Sequence, residues 1–484
     1  MALFFQRDAT LRVFPNKSDG TFPSNSNAFD IPMLEGFSFS QSTNSSEITL
    51  SEMESTAGTS RRGRKMFNDS LAPVEWNFST YIRPYIAAGS GATSWADSQV
   101  HLVDEVLWNA LLSKYRIDED GTSGVSLANL TFSGGSGNVV GDILTATNGT
   151  LVTGYSHAQA TVVTVASGVI TEVEITRPGK YSANPSTYTS SRGGATVGTI
   201  TTVMGEEGDS MIDRGTTKSV LSSKNSNVSA LNTMTMEFNV GTATNGLIYK
   251  LNKAVVNSAT INFDVEGIAT IEWSGMAATV DTINSNTHTA VAGSGKVIGE
   301  GGTSADTENF IRNRLTAMAV APNGTPGSSG TYADAGGIQT SYDLTLTGGS
   351  ITIENNVSYL TPEELGVVNK PIEHVTGARN IGGSFTCYLA SNTANNGSKD
   401  LFEDLTHSTA LDIITHDFEM VFKIGGSSGT PRLEVKMPKC HVEVPTHSIE
   451  DVVSLESTFT SLQSDMESSI VDDLEVSVYG VALS

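Results

Sequence analysis

The stretch that decides the fold is KAVVNSATINFDVEGIATIEW, which runs from Lys253 to Trp273. Within it the apolar residues Ile261, Phe263 and Val265 are each separated by one polar or acidic residue. A period of two places the apolar side chains on a packed face of a strand and the polar ones on a wet face. The alternation resumes after Gly267, so the stretch predicts two strands joined by a turn.

A second stretch, KCHVEVPTHSIEDVVSLESTF at residues 439–459, repeats the first without a gap. The alignment equates Lys253 with Lys439, Val256 with Val442, Phe263 with Ile449, Asp264 with Glu450 and Trp273 with Phe459. Upstream, MTMEFNV (from Met234) resembles FEMVFKI (from Phe418), and WNFSTYI (from Trp76) resembles GSFTCYL (from Gly383). The pieces recur in the same order, so the sequence predicts an internal duplication.

The strands WNFSTYI and GSFTCYL share the pattern Phe-x-x-Tyr. Each copy also carries one predicted helix, which lies between its Phe-x-x-Tyr strand and the strands that follow. The first lies in DSQVHLVDEVLWNALLSKY (97–115), where Val103, Val106, Leu107, Ala110 and Leu111 form one apolar stripe. The second lies in KDLFEDL (399–405). A leading strand, ATLRVFP near the start, has a loose counterpart in RLTAMAVAP near Arg314.

The segment between the Phe-x-x-Tyr strand and the later strands is longer in the first copy because it contains an insertion. Residues 118–208 are rich in Gly, Ser, Thr and Val, and Gly168 marks a tight hairpin. We therefore expect a mainly β chain with two tandem domains, each with a flanking helix. The predicted boundaries are 1–117 with 209–285 for copy one, 118–208 for the inserted domain, 286–309 for a linker and 310–484 for copy two.

Composition limits the classes of function. The 484 residues carry 28 Lys and Arg against 52 Asp and Glu, a formal net charge of −24. Nucleic-acid capture needs clustered cations to neutralise phosphates, so the acidity argues against it. It does not argue against a protein that lets nucleic acid slide past. We find no stretch approaching the ~20 apolar residues of a membrane helix and no secretion signal, and expect synthesis in a cytoplasm.

Catalytic and metal-binding patterns are absent from the sequence. It contains no HExxH, GxSxG, GxxxxGK[ST] or helix-opening GxGxxG motif. Five histidines of copy two (His374, His407, His416, His441 and His447) lack metal-ligand spacing. The two cysteines, Cys387 and Cys440, leave one disulfide possible, although two reduced, buried thiols are the favoured prediction. The sequence therefore predicts no enzyme, no cofactor and no metal.

The string YKLNKAVVNSATINFDVEGIATIEWSG (Tyr249 to Gly275), preceded by WNFSTYIRP (Trp76 to Pro84), resembles tail tube proteins of long-tailed bacteriophages. The resemblance covers the two copies and not the insertion. It implies β-barrel or sandwich domains that form six-fold rings, which stack into a hollow tube in the virion tail. For a chain with two copies it implies homotrimeric, pseudo-hexameric rings. Implied partners are further copies, sheath, tape measure, baseplate and terminator proteins, and genomic DNA in passage, with no membrane.

Six carboxylates in the repeated strands are candidates for the surface that lines the bore. They are Asp264, Glu266, Glu272, Glu450, Asp451 and Glu456. On this hypothesis the excess negative charge keeps passing DNA from adhering, since like charges repel within about 8 Å at physiological salt. The alternative is an ordinary solvated outer face.

Four cations stand close together in a predicted long loop of copy one: Arg61, Arg62, Arg64 and Lys65. One interpretation is a contact with an acidic rim of the next ring, where Arg pairs bidentately with carboxylates. A nucleic-acid patch and an ordinary charged loop are the alternatives.

Two other functions stay open at the level of sequence. The chain could be a baseplate or tube-end ring protein on the same scaffold, which would form one ring instead of open-ended stacks. It could also be a glycan-binding decoration protein of the virion, with Tyr155, Tyr181 and Tyr188 of the insertion stacking on sugars.

Overall fold

The computed structural model describes most of the chain. The described residues are 9–16, 29–50, 63–86, 100–112, 131–151, 157–177, 181–201, 212–213, 218–222, 231–240, 246–283, 309–322, 341–365, 368–391, 396–406, 417–426, 431–449, 452–463 and 473–482. Strands predominate, in agreement with the mainly β prediction. No helix in this part of the chain is long and apolar enough to cross a bilayer.

The first half of the chain builds one set of strands around a helix. Its elements are β1 (Ala9–Pro15), β2 (Phe29–Ile31), β3 (Ser38–Ser40), β4 (Thr43–Leu50), β5 (Gly63–Leu71), β6 (Val74–Tyr81), β7 (Pro84–Ile86), β8 (Val100–Leu102) and α1 (Glu105–Leu112). The helix is shorter than predicted, because residues 100–102 form β8. The segment predicted as a long loop (51–75) contains β5, which forms a hairpin with β4.

The insertion forms small sheets with their own core. Its strands are β9 (Thr131–Ser133), β10 (Ile143–Ala146), β11 (Thr150–Leu151), β12 (Gln159–Ala166), β13 (Val169–Arg177), β14 (Tyr181–Ala183), β15 (Tyr188–Ser190) and β16 (Thr199–Thr201). Positive φ angles at Ser167 and Gly168 form the tight turn of the β12–β13 hairpin. The core of the insertion, around Leu144, Val162 and Tyr181, is separate from the main core.

After the insertion come β17 (Ile212–Asp213), β18 (Ser219–Ser222), β19 (Met234–Val240), β20 (Leu247–Asp264), β21 (Thr270–Ala277) and β22 (Thr279–Ile283). The second half holds β23 (Ala317–Pro322), β24 (Tyr342–Leu344), β25 (Leu346–Glu354), β26 (Ser358–Leu360), β27 (Glu373–Val375), β28 (Asn380–Tyr388), α2 (Ser398–Thr406), β29 (Asp417–Ile424), β30 (Arg432–Val442), β31 (Thr446–Ile449), β32 (Val453–Ser461), β33 (Glu475–Tyr479) and β34 (Val481–Ala482). A 3₁₀ turn spans Asn313–Leu315.

Two groups of strands share one pairing pattern. In the first unit β1 pairs with β2 and β19, β20 with β19, β21 and β22, and β6 with β21 and β3. In the second unit β23 pairs with β24 and β29, β30 with β29, β32 and β33, and β28 with β32 and β25. We call these the N-terminal and C-terminal units. The domain boundaries stay a prediction, because residues 113–130, 202–211 and 284–308 lie outside the described residues.

The agreement between the units extends to individual residues. Met236 pairs with Leu251 and Met234 with Ala254, while Met420 pairs with Met437 and Phe418 with Cys440. Both ladders therefore bulge at the same place, beside Lys253 in one unit and Lys439 in the other. This register equates Lys253 with Lys439, as the sequence alignment does.

One part of the alignment is wrong by two residues. Val256 pairs with Gly275, whereas Val442 pairs with Phe459, so the strands equate Phe459 with Gly275 instead of Trp273. The turn that follows β31 is shorter than the turn that follows β20, and a gapless alignment cannot follow that difference.

The two units are joined by a sheet ladder and by a clamp on α1. Residues Ser258 to Asp264 of β20 pair antiparallel with Gly348 to Glu354 of β25. Asn355 Nδ2 donates to the carbonyl of Leu111 (2.9 Å), which is one of the last carbonyls of α1 and has no partner within the helix. Arg379 donates in the same way to the carbonyl of Leu112 (3.0 Å).

Candidate functional site: a hydroxyl and carboxylate face

The ladder between the units produces one continuous sheet. Its strand order is β3, β6, β21, β20, β25, β28, β32 and β31, with the β20 part limited to residues 258–264. One face packs on the main core through buried residues such as Phe78, Ile261, Ile351 and Phe385. On the opposite face most side chains are exposed or half-buried in the described part of the chain. The segment at the 3₁₀ turn contacts this face at one end, where the Phe310 ring lies 5.3 Å from the Tyr81 ring and Asn313 Nδ2 donates to Asp264 Oδ1 (3.4 Å).

This face is lined almost wholly by hydroxyl, amide and carboxylate groups. Its residues are Ser38, Ser40, Glu75, Asn77, Ser79, Tyr81, Ser258, Thr260, Asn262, Asp264, Thr270, Glu272, Ser274, Met276, Gly348, Ser350, Thr352, Glu354, Asn380, Gly382, Ser384, Thr386, Tyr388, Thr446, Ser448, Ser454, Glu456, Thr458 and Thr460. We call it the hydroxyl face. Among these described residues there is no Lys, Arg or His.

Side chains on the hydroxyl face bond to one another across the strands. Thr260 Oγ1 lies 3.3 Å from Thr352 Oγ1, across the ladder that joins the two units. Asn262 Nδ2 donates to Glu272 Oε1 (3.4 Å), and such cross-strand pairs stabilise a sheet modestly. The face thus combines a regular array of neutral polar groups with fixed negative charges.

Three of the six predicted carboxylates lie on this face: Asp264, Glu272 and Glu456. Glu272 is opposite Thr260, and Glu456 is opposite Thr446, so the two glutamates occupy equivalent places in the two units. Glu266 is exposed in the turn at the end of β20. Glu450 and Asp451 lie outside the described residues.

Sequence reasoning missed two carboxylates of the hydroxyl face, Glu75 and Glu354. Glu354 is opposite Ser258, on the ladder between the units, and Glu75 is opposite Met276. The alternation in VEWNFSTY and SITIE, read with the same period of two, places each of them with the polar set. Carboxylates without neighbouring cations give a surface a negative potential.

Two of the four clustered cations, Arg64 and Lys65, lie on strand β5 of the hairpin β4–β5. Arg64 Nε is 2.6 Å from Glu47 Oε1, and the Arg64 side chain is 78% exposed. Lys65 Nζ lies 5.0 Å from the ring centre of Phe67. Arg61 and Arg62 lie outside the described residues. Ile48, Met66 and Phe67 are exposed on the same hairpin, so the cations stand beside uncovered apolar groups.

A buried polar cluster at the start of α1 is structural. Thr80 Oγ1 donates to Asp104 Oδ2 (2.8 Å), and Trp273 Nε1 donates to Thr80 Oγ1 (2.9 Å). Burial raises the pKa of Asp104 to about 7, against the lowering effect of these hydrogen bonds. The cluster lies inside the N-terminal unit and away from any open surface, so it has no access to a substrate.

The predicted sugar-stacking surface of the insertion is wrong for two of its three residues. Tyr181 is fully buried and its hydroxyl accepts a hydrogen bond from the Ala158 amide (2.7 Å). Tyr188 is also buried, because both rings fill the core of the insertion. Tyr155 lies outside the described residues. In the part of the chain that the structure describes, no three His, Cys, Asp or Glu side chains cluster as a metal site.

Comparisons with known proteins agree with this architecture. The family model described as phage tail tube protein matches residues 173–460. The chain is also similar to tail tube protein pb6 of Escherichia phage T5, with 24% identity over 455 residues, 91% of this chain and 69% of that protein. A tail tube family implies a structural, non-enzymatic role, self-assembly and contact with other tail components. The family model spans more than half of the sequence, and the chain therefore belongs to the phage tail tube proteins, structural components of the virion.

Proposed function

We propose that three copies of this chain close into a ring with six wall segments. The rings stack into a hollow tube, and genomic DNA leaves the virion through its bore. The observation that carries this proposal is the continuous sheet, to which each unit contributes four strands in the same order. In this proposal the two units of one chain are two equivalent wall segments, and the ladder between β20 and β25 joins them.

The hydroxyl face is the proposed lining of the bore. The sheet's other face is filled by the main core, so the hydroxyl face is the one left to meet water or a passing polymer. DNA binds proteins chiefly through Lys and Arg at its phosphates, and the face presents carboxylates instead. A lining of neutral hydroxyls with scattered negative charges holds a film of water and offers DNA no attachment.

The hairpin β4–β5 is the proposed contact between stacked rings. Its exposed cations and apolar side chains suit a protein surface better than water. The proposal includes Arg61 and Arg62 with Arg64 and Lys65. Sheath, tape measure, baseplate and terminator proteins are the further partners proposed for the assembled tube.

The first experiment measures the assembly itself. Purified protein is followed by mass measurement over a range of concentrations and by negative-stain electron microscopy. We expect trimeric rings with pseudo-six-fold symmetry and open-ended stacks. Single rings that never stack would favour a tube-end or baseplate protein, and a monomer at every concentration would contradict the proposal.

A second experiment tests the lining. Phage particles are made with Glu75, Asp264, Glu272, Glu354 and Glu456 replaced by Gln, Asn, Gln, Gln and Gln. We expect normal tubes but slower DNA ejection, because a lining without charge repels phosphates less. The matched control replaces the exposed Glu363 and Glu364 by Gln, away from the hydroxyl face. Equal ejection rates in both variants would show that the hydroxyl face does not act on DNA.

A further inference from the structure

We propose that Lys253 is a positioning residue of tube assembly. It fixes a hairpin of the C-terminal unit on the N-terminal unit, and that hairpin in turn holds the end of β5. We call residues 356–378, which contain β26 and β27, the arm. The inference rests on the proposed function, because it takes the hairpin β4–β5 as the contact between stacked rings.

Lys253 has a backbone conformation that a lysine rarely adopts. Its φ angle is +50°, and among the described residues only Ser167 and Asn356 also have a positive φ without being glycine. The left-handed region brings Cβ close to the following carbonyl oxygen, so it is strained for a lysine and not for a glycine. Ser167 lies in the tight β12–β13 turn, whereas Asn356 is the first residue of the arm.

The bulge of β20 does not by itself require this conformation. Lys439 occupies the equivalent place in the bulge of β30, and its φ is not positive. Strain that is confined to one of two equivalent places points to a role beyond the fold. At Lys253 the arm lies against the bulge, and we attribute the conformation to this contact.

Lys253 contacts the arm with both its side chain and its backbone. The ammonium group donates to the carbonyl of Ile372 (3.1 Å) and lies 3.5 Å from the Glu373 carboxylate. In the opposite direction the Tyr359 hydroxyl donates to the Lys253 carbonyl. Burial raises the pKa of Tyr359, so this hydroxyl keeps its proton. Lys253 therefore binds both strands of the arm, since Tyr359 lies on β26 and Glu373 on β27.

The base of the arm is bonded to the same strand. The backbone carbonyl of Asn257 in β20 accepts from the Asn355 amide (2.8 Å), and Asn257 Oδ1 accepts from the Val357 amide (2.7 Å). Asn356 Nδ2 donates to the carbonyl of Ala378 (2.7 Å), which closes the base. Lys253 thus attaches the arm to β20 beyond this base.

The arm also contacts β5. Asn369 forms a parallel bridge with Ser70, its carbonyl accepts from the Leu71 amide (2.8 Å), and its amide donates to the Asp69 carbonyl (3.1 Å). Asn369 Oδ1 accepts from the Glu364 amide (2.9 Å) within the arm. The contacts therefore run without a break from Lys253 through the arm to the end of β5.

An arm that is fixed before chains meet prepares the contact between stacked rings. An isolated two-stranded hairpin such as β4–β5 is marginal in water, and the bonds to Asn369 hold one of its strands in place. Elements that are already ordered associate more readily, because less conformational entropy is lost on binding. Lys253 therefore acts on stacking through the arm.

The test compares Lys253→Gly with the wild-type chain, both at full length. Glycine adopts a φ of +50° without strain, so this variant removes the ammonium contacts and leaves the backbone able to keep its conformation. Lys253→Met keeps the strain and removes the charge. The matched control is Lys399→Met, which removes an exposed lysine that lies 2.9 Å from Glu403 on α2.

Three quantities are measured: hydrogen exchange in unstacked protein, unfolding in urea, and the length of stacks by negative-stain electron microscopy. We expect exchange in the arm and at the Leu71 amide to be about tenfold faster in Lys253→Gly, with an unfolding free energy that is not lowered. A residue that served only the fold would lower the unfolding free energy. Rings should form as before and the stacks should be shorter, whereas Lys399→Met should match the wild type.

Unchanged exchange in the arm of both Lys253 variants would overturn the role of Lys253. Faster exchange in the arm, with the Leu71 amide and the stacks unchanged, would overturn the link from the arm to β5. Wild-type chains that form no stacks would contradict the proposed function instead. The exchange data would then still decide on Lys253, because they are recorded before stacking.

Discussion

The helices α1 and α2 follow equivalent strands, β6 and β28, in the two units but have different surroundings. All eight residues of α1 are buried, and its last carbonyls accept hydrogen bonds from Asn355 and Arg379 of the other unit. Helix α2 leaves Lys399 and Thr406 exposed. The helix at the joint between the two units is therefore completely covered, whereas the helix of the C-terminal unit is covered only in part.

A second difference lies inside the sheet. Trp76 is opposite Gly275 in the N-terminal unit, and Gly383 is opposite Phe459 in the C-terminal unit. An added Cβ at Gly275 would meet the Trp76 ring, and one at Gly383 would meet the Phe459 ring. In the N-terminal unit the aromatic residue lies on β6 and the glycine on β21, whereas in the C-terminal unit the glycine lies on β28 and the aromatic residue on β32. Each unit therefore pairs one large ring with one glycine, which keeps the core at this place filled without overpacking it.

The largest expected effect concerns the clamp of Asn355 and Arg379 on the end of α1. Arg379 is almost completely buried and lies 3.4 Å from Asp473, with further bonds to Asn355 Oδ1 and the Leu112 carbonyl. Arg379→Met leaves the Asp473 carboxylate buried without its cation, which costs about 3–5 kcal/mol of unfolding free energy. Urea unfolding measures the change.

The control for the clamp is the ion pair of Lys436 with Glu419, whose side chains are 39% and 37% exposed. Lys436→Met should cost less than about 1 kcal/mol, because exposed ion pairs contribute little. Equal losses in the two variants would contradict a special role for Arg379 at the joint.

The second-largest expected effect concerns Gly275 and Gly383, the glycines that face aromatic rings. Gly275→Ala brings a methyl group into collision with the Val255 carbonyl oxygen, and Gly383→Ala brings one into collision with the Ser350 carbonyl oxygen. Each should lower the unfolding free energy by about 3 kcal/mol. Gly348→Ala is the matched control, since its nearest contact is at 3.5 Å. A tolerated Gly275→Ala would show that the ring and glycine do not pack as described.

The third prediction concerns Asp104 before α1. Its pKa is raised to about 7, from 3.8, so the folded protein holds a proton that the unfolded chain releases. Its stabilising contribution is complete below pH 3.8 and is lost as pH rises towards 7. The loss between pH 5 and pH 7 is about 2 kcal/mol. Asp104→Asn should remove this part of the pH dependence, as measured by denaturation at several pH values.

Sequence patterns predicted the mainly β class, the repeat and both helices, because these depend on local periodicity. The gapless match was right along β20 and β30 and wrong beyond the turn, where the units differ in length. Glu75 and Glu354 were missed because each is the only carboxylate in its strand, and the apolar residues of that strand indicate packing in a core. Tyr181 and Tyr188 were misjudged, since a tyrosine between polar residues gives no sign of a small core beneath it.

The hairpin β4–β5 shows a different limit of prediction from sequence. Its second strand, β5, lies in the segment that the sequence predicted as a loop, because the residues around Arg64 and Lys65 show little apolar alternation. Isolated hairpins are marginal in water, and their strand character comes from partners that the local sequence does not reveal. The positions of β3 and β31 at the two ends of the sheet could not be predicted from the sequence either. They depend on how distant strands pair, which the local sequence does not determine.

The ladder between β20 and β25 limits the number of units that the proposed ring can contain. Because the two units belong to one polypeptide and are joined by this ladder, they would enter such a ring only in pairs. A ring with an odd number of units could not be built from these chains, and an assembly error would have to add or omit a whole pair. In the proposed ring, the joining of two units in one chain therefore restricts the circumference to even numbers of units.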